Sequence, residues 1–161
     1  MTPPEKALAR LRFLVRVADK ECRHLQLTDQ RLFTESFDED RANRLEDDIE
    51  LAERVEAFVG RFGRLQDTLA DKLLPALLSA LGERVGAQLD NLDRAERLGY
   101  IESAELWLTM RQLRNQMVHE YIEDPAILAS ALQTGHEFVG TLVRATQAMR
   151  ADINQRGWLN A

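Results

Sequence analysis

The chain has 161 residues, with 27 acidic and 21 basic side chains and a formal net charge of -6, and this balance excludes binding of long nucleic acid by overall charge alone. Its length suits one domain with a real hydrophobic core. The single cysteine excludes an internal disulfide, and no apolar run approaches the roughly 20 residues of a membrane helix, so we expect a soluble, cytoplasmic protein.

Helical periodicity predicts a first helix over about residues 4–27, with Pro4 well suited to its start. Its apolar positions recur at helical spacing: Leu8, Leu11, Leu14, Val15, Ala18, Cys22 and Leu25. On this stripe Cys22 is interpreted as a small core residue and not as a reactive thiol. Residues 28–40 are interpreted as a connection, in which Phe33 and Phe37 are expected to anchor the chain under the bundle.

The longest predicted helix covers about residues 40–74 and carries apolar side chains at alternating steps of four and three: Leu51, Val55, Phe58, Phe62, Leu65, Leu69 and Leu73. Gly60 and Gly63 interrupt the pattern, and they either weaken the helix, by about 1 kcal/mol each relative to alanine, or permit close approach by a neighbouring helix. The acidic run at residues 46–50 is interpreted as a solvated face. Pro75 should kink or end this helix.

Further helices are predicted at residues 76–81, closed by Gly82, and at about residues 83–98, closed by Gly99. A last helix should run over about residues 125–156, with one apolar stripe: Leu128, Leu132, Gly135, Val139, Leu142, Thr146, Met149 and Ile153. Alternating strand patterns are absent. The sequence therefore predicts an all-α fold, an antiparallel bundle of about five helices in one domain over residues 1–161.

A metal site is not expected. Glu21 and His24 have the spacing of a carboxylate-bridged ligand pair in helical bundles, but His119 and His136 are preceded at that spacing by glutamines. One cysteine and three scattered histidines also exclude a zinc site. We expect no cofactor, a solvated His24 and a hydrogen-bonded structural role for His136.

The helix before the last one holds the only concentration of chemically active side chains. It should begin near Ser103 or Glu105 and end near Ile122, ahead of Asp124-Pro125. One face is an apolar stripe: Leu106, Met110, Leu113 and Met117. The other positions carry the candidate site: Arg111, Arg114, Asn115, His119 and Tyr121. Residues 107–119 contain two arginines and no acid, which predicts a local positive site.

Arg114 and His119 are five residues apart, so they diverge by roughly 140° around the helix. One helix cannot easily direct both side chains at one small target. Two copies related by a two-fold axis could bring both groups to a shared groove, which predicts a homodimer.

The order Arg114, Asn115, His119 and Tyr121 resembles the signature of the HEPN superfamily, and more narrowly that of the HepT toxins of HepT/MntA (HEPN/MNT) toxin-antitoxin systems. The resemblance implies a HEPN-like bundle and a metal-independent ribonuclease that acts as a homodimer on RNA. Arg114 would bind the scissile phosphate, and His119 would act as general acid or base. Asn115 would orient the phosphate or His119.

The resemblance also implies a partner, a minimal nucleotidyltransferase (MNT) antitoxin that attaches AMP to the tyrosine matched by Tyr121. Bulky negative charge at that position would block the groove and repel RNA. Arg111 is a further candidate for substrate positioning, suggested by its lack of nearby acids in the sequence.

Other interpretations use the same residues. Arg114 could pair with an acid, Tyr121 could be half-buried in the core, and His119 could simply favour the helix C-terminus. Two functions therefore stand beside the ribonuclease. One is a non-catalytic partner that binds a nucleotidyltransferase or a nucleotide, and the other is a purely structural helical dimer.

Overall fold

The computed structural model describes residues 2–119 and 123–160, and the regular structure within these ranges is entirely helical. The helices are α1 (Glu5–Leu32), α2 (Glu39–Asn43), α3 (Ile49–Asp67), α4 (Leu74–Ala80), α5 (Gln88–Leu98), α6 (Ala104–His119) and α7 (Pro125–Gln155). The predicted all-α class is confirmed. In the part of the chain that is described, no helix is both long and apolar enough to cross a membrane.

The helices pack as a bundle around one hydrophobic core. α1 packs against α3 and α7, while α6 packs against α3, α5 and α7. The apolar stripes predicted for α1, α3 and α7 are buried at every position. These three stripes match because burial of one face of a helix imposes the same 3.6-residue period on the sequence.

The first helix ends at Leu32, five residues beyond the predicted end at residue 27. Thr28 and Leu32 continue the buried stripe, and Arg61 of α3 donates to the backbone carbonyl of His24 at 3.3 Å and to the Thr28 hydroxyl. The predicted anchoring role of the two phenylalanines is confirmed. Phe37 is buried, and Phe33 packs edge-on against a core ring of α3 with centroids 5.1 Å apart.

The prediction of a single helix over residues 40–74 is wrong. Asp48 caps the start of α3 by accepting a hydrogen bond from the Leu51 backbone N–H at 3.0 Å, and this separates α2 from α3. Short acidic side chains favour such caps over helix interiors. The acidic run around Asp48 is exposed, as expected.

The sequence predicts that Pro75 kinks or ends this helix, and the helical path does not end there. α3 continues through a π-helical segment, Thr68–Leu73, directly into α4, and Pro75 lies in the first turn of α4. A proline ring clashes with the carbonyl four residues earlier in an α-helix. The wider π turn immediately before Pro75 accommodates the ring, and the helical path is kept.

The helix predicted from residue 83 begins only at Gln88. The Asn91 side chain accepts from the Gly86 backbone N–H at 2.9 Å and donates to its carbonyl at 3.1 Å, and these two bonds hold the preceding loop in a non-helical path. The predicted caps are confirmed at Gly82 and Gly99, which both have positive φ angles. Ser103 accepts from the Leu106 backbone N–H, as expected for the start of α6.

Replacing Gly99 by alanine should destabilise the fold by about 1 kcal/mol, because its φ of +84° lies in the left-handed region that side chains disfavour. Gly60→Ala is the matched control: it lies inside α3, and an added Cβ would meet only Arg64, at 3.7 Å. The control should be neutral or stabilising. Urea unfolding of both variants measures the difference, and equal stability of Gly99→Ala and the wild type would contradict the prediction.

Candidate functional site on helix α6

α6 is held on the bundle by five buried side chains: Ala104, Trp107, Met110, Leu113 and Met117. Three of them belong to the predicted stripe. The prediction was wrong at Leu106, which is only partly buried, and Trp107 takes the core position at this end of the helix.

Gly135 explains how closely α7 approaches α6. A Cβ at this position would lie 3.3 Å from the Met117 sulfur and 3.3 Å from a ring carbon of Phe58. A Cβ there would require the side chains of Met117 and Phe58 to shift by a few tenths of an ångström. The C-terminal half of α6, which carries the candidate site, is therefore fixed by contacts among α3, α6 and α7.

Three of the candidate residues are exposed on α6. Arg111, Asn115 and His119 follow one another at steps of four, so they form one row along the helix surface. Within the described ranges, neither Asn115 nor His119 has a hydrogen-bond or ion-pair partner. Both side chains are therefore available to a ligand or to another protein chain.

Arg114 has a different environment, because its side chain lies against α3. Its Nη1 donates to Oδ1 of Asp67 at 2.6 Å, and the two side chains are 30% and 38% exposed. The guanidinium also lies over Gly63, where an added Cβ would be 2.6 Å from Nε and 3.1 Å from Cζ. The sequence left open that a glycine of this helix permits close approach by a neighbouring helix; at Gly63 the group that approaches is the Arg114 side chain of α6, whereas Gly60 faces only its own helix.

Arg111 is linked to α5 and to the π-helical segment. Its Nη1 donates to Oε1 of Gln88, whose Nε2 donates to Oδ1 of Asp71 at 2.7 Å. Two carboxylates from a distant part of the sequence thus lie near α6: Asp67 pairs with Arg114, and Asp71 is linked to Arg111 through Gln88. The sequence interval without acids does not correspond to a surface without acids, and this removes the reason for singling out Arg111.

A small cavity of about 10 Å³ lies between α3, α5 and α6. Gln66 and Trp107 contribute to its walls, and the Gln66 Oε1 and Trp107 Nε1 atoms are buried without a protein hydrogen-bond partner. A space of this size can hold one water molecule, which can satisfy such polar atoms. It is far too small for a nucleotide base, so the cavity is not a nucleotide pocket.

Tyr121, the expected AMP acceptor, lies outside the described residues, as do Glu120 and Ile122. His119 is the last residue of α6 as described.

Arg114 and His119 are placed as the roughly 140° offset predicts. The Arg114 guanidinium is turned toward α3, and the His119 imidazole is exposed.

The other histidines have no metal site around them. Within residues 2–119 and 123–160, no group of three His, Cys, Asp or Glu side chains is arranged to hold a metal ion. His24 is exposed, as expected. The structural role predicted for His136 is confirmed, because its Nδ1 lies 2.6 Å from Oδ1 of Asp29 and its ring stacks on Phe33 with centroids 4.3 Å apart.

Cys22 is a core residue, as predicted. Its side chain is buried, and its Sγ donates to the Thr146 hydroxyl at 3.2 Å. Burial raises the pKa of the Cys22 thiol above its ordinary value of 9.0, and the hydrogen bond to Thr146 opposes this only in part. Thiolate, the reactive form, is therefore scarce at neutral pH.

No protein-family model matches the chain, and no curated protein or solved structure matches it with significant similarity.

Proposed function

We propose that the protein is a cytoplasmic, metal-independent endoribonuclease toxin with a HEPN-like fold, in which two copies of α6 form the RNA-binding cleft of a homodimer. The observation that carries this proposal is the pair of exposed side chains of Asn115 and His119, which have no hydrogen-bond or ion-pair partner in the described part of the chain, on a helix that also bears Arg114. An imidazole that is open to solvent, with a guanidinium and an amide on the same helix, provides the groups that phosphodiester cleavage by transesterification requires.

Each residue has a defined role in the proposed reaction. His119 takes the proton from the RNA 2'-hydroxyl as that oxygen attacks phosphorus, or donates a proton to the departing 5'-oxygen. Arg114 binds the scissile phosphate and stabilises the charge that develops on it. Asn115 orients the phosphate or the imidazole. Arg111 has a weaker case as a positioning residue, because its guanidinium already donates a hydrogen bond to Gln88 in the single chain.

A second copy of the chain is part of the proposal because of the roughly 140° offset between Arg114 and His119, which one helix does not overcome. Two copies related by a two-fold axis would bring a guanidinium and an imidazole to one shared groove.

Cleavage of RNA in the presence of excess EDTA tests the proposed reaction. The purified protein should cut single-stranded RNA under these conditions and leave 2',3'-cyclic phosphate ends, because the 2'-hydroxyl is the nucleophile and no metal takes part. The same RNA with 2'-O-methyl groups should resist cleavage. Cleavage that requires added Mg²⁺, or that proceeds equally on the methylated RNA, would reject this reaction.

The antitoxin is a further part of the proposal. A minimal nucleotidyltransferase would neutralise the toxin by attaching AMP to Tyr121. Co-expression with such a transferase, followed by intact-mass measurement, should show added AMP units, and the variant Tyr121→Phe should show none. Unchanged mass of the wild-type chain would exclude this mode of neutralisation.

The ion pair between Arg114 and Asp67 favours a second candidate function, a non-catalytic partner of a nucleotidyltransferase. In that function the arginine only fastens α6 to α3, and the exposed row of α6 binds the transferase or its nucleotide. This candidate predicts a stable complex on gel filtration and no RNA turnover. Separate elution of the two proteins would eliminate it.

A further inference from the structure

Helix α3 carries a seat for the guanidinium of Arg114, which we define by two of its residues, Gly63 and Asp67. They are four residues apart and therefore lie on one face of the helix. Gly63 lies beneath Nε and Cζ, and Asp67 accepts a hydrogen bond from Nη1 at 2.6 Å. The seat thus determines both where the guanidinium lies and which anion it contacts.

The seat depends on the missing side chain of Gly63. Glycine inside a helix is less favourable than alanine, and Gly63 is buried, so nothing about solvent exposure explains it. An added Cβ would lie 2.6 Å from Nε, closer than real Cβ atoms approach other heavy atoms. The atom that it would meet is the far end of a flexible side chain, so Arg114 would move while the helix stays.

We propose that the carboxylate of Asp67 is an internal competitor for the phosphodiester that Arg114 binds, so that the seat restrains the enzyme until RNA displaces Asp67. This inference rests on the proposed ribonuclease function. A carboxylate and a phosphate take the same N–H donors of a guanidinium, and two such anions on one arginine repel each other. The pair is partly exposed, and such pairs are weak enough to be exchanged.

The first experiment measures, without RNA, how strongly the seat protects Arg114 from chemical modification. Gly63→Ala removes the space beneath the guanidinium, and Asp67→Asn removes the charge of its partner. Phenylglyoxal modifies free arginines, and peptide mass spectrometry gives the rate at Arg114 alone. Both variants should raise this rate by about threefold or more. A factor of this size corresponds to the free energy with which a partly exposed ion pair protects its arginine.

Matched controls lie one helical turn away from the seat. Gly60→Ala adds the same methyl group to α3 where only Arg64 is near, and Asp71→Asn removes an identical charge that bonds to Gln88 instead. Both controls should leave the modification rate of Arg114 unchanged. Equal rates at Arg114 in all five proteins would overturn the seat while leaving the ribonuclease proposal intact.

The second experiment measures competition, using a fluorescent single-stranded RNA with 2'-O-methyl groups that cannot be cleaved. Asp67→Asn should bind this RNA about three- to fivefold more tightly than the wild type. The gain in affinity of Asp71→Asn over the wild type should be less than half of that. Weaker binding by Asp67→Asn would overturn competition, because it would make Asp67 a residue that positions Arg114 for the phosphate.

The two experiments separate the failure of each proposal. Faster modification of Arg114 in Gly63→Ala and Asp67→Asn, with no RNA binding by any of the proteins, would reject both the ribonuclease and the competition. Tighter RNA binding by Asp67→Asn that disappears in the double variant with Arg114→Gln would support the competition, because the gain then depends on that arginine.

Discussion

Replacing His119 by alanine should slow RNA cleavage by at least about 100-fold while leaving the fold and the assembly unchanged. General acid or base catalysis contributes roughly 100- to 10,000-fold, and in the proposed reaction the imidazole of His119 supplies it. The side chain is exposed, so its removal creates no cavity. Single-turnover cleavage of a labelled RNA measures the rate, and circular dichroism with gel filtration checks fold and assembly.

His24→Ala is the matched control for this prediction. His24 is also an exposed histidine on a helix, but it lies on α1 and has no place in the proposed site. The control should cleave RNA at the wild-type rate. Equal rates for both histidine variants and the wild type would remove His119 from the reaction and would favour the binding partner over the enzyme.

Replacing Phe58 by alanine should have the largest effect on stability, a loss of about 3–5 kcal/mol. The ring is fully buried, packs edge-on against Phe33 at 5.1 Å and lies 5.9 Å from Phe62. It also forms part of the wall on which α6 and α7 meet, next to Gly135. Urea unfolding measures the loss in free energy.

Phe13→Ala provides the comparison for Phe58, because the Phe13 ring is 47% exposed and Arg10 lies over it in a cation–π arrangement, with Cζ 5.9 Å from the ring centroid. Its replacement should cost less than about 0.5 kcal/mol, as for most surface positions. A loss at Phe58 as small as the loss at Phe13 would show that the core can close around the missing ring.

The helical bundle was predictable because its signal is repeated many times along the sequence. The stripe of α7 contributes eight positions at one period, from Leu128 to Ile153, and all of them are buried. The errors fall where a single polar or cyclic residue decides the path. Asp48 starts a new helix through one side-chain hydrogen bond, and Pro75 is preceded by a π-helical segment that periodicity does not reveal.

The candidate site was only partly predictable, for a different reason. The sequence places Asn115 and His119 correctly on the outer side of α6, since a helix fixes the direction of its own side chains. It does not reveal that Asp67 faces Arg114, because the two residues are 47 positions apart and belong to different helices. The two glycines of α3 were the available signal, but the sequence does not distinguish Gly63, which lies under Arg114, from Gly60, which does not.

Arg12 joins segments from opposite ends of the described chain. Its guanidinium pairs with Glu5 at 2.7 Å and donates to the backbone carbonyls of Trp158 and Asn160 at 3.0 and 3.1 Å, so the segment after α7 folds back onto α1. A short linker could therefore join these segments, and new ends could be opened in the exposed loop at residues 83–87. Such a circular permutant would keep α3, α6 and α7 intact. Fusion partners attached to its new ends would lie at this loop and not beside Arg12.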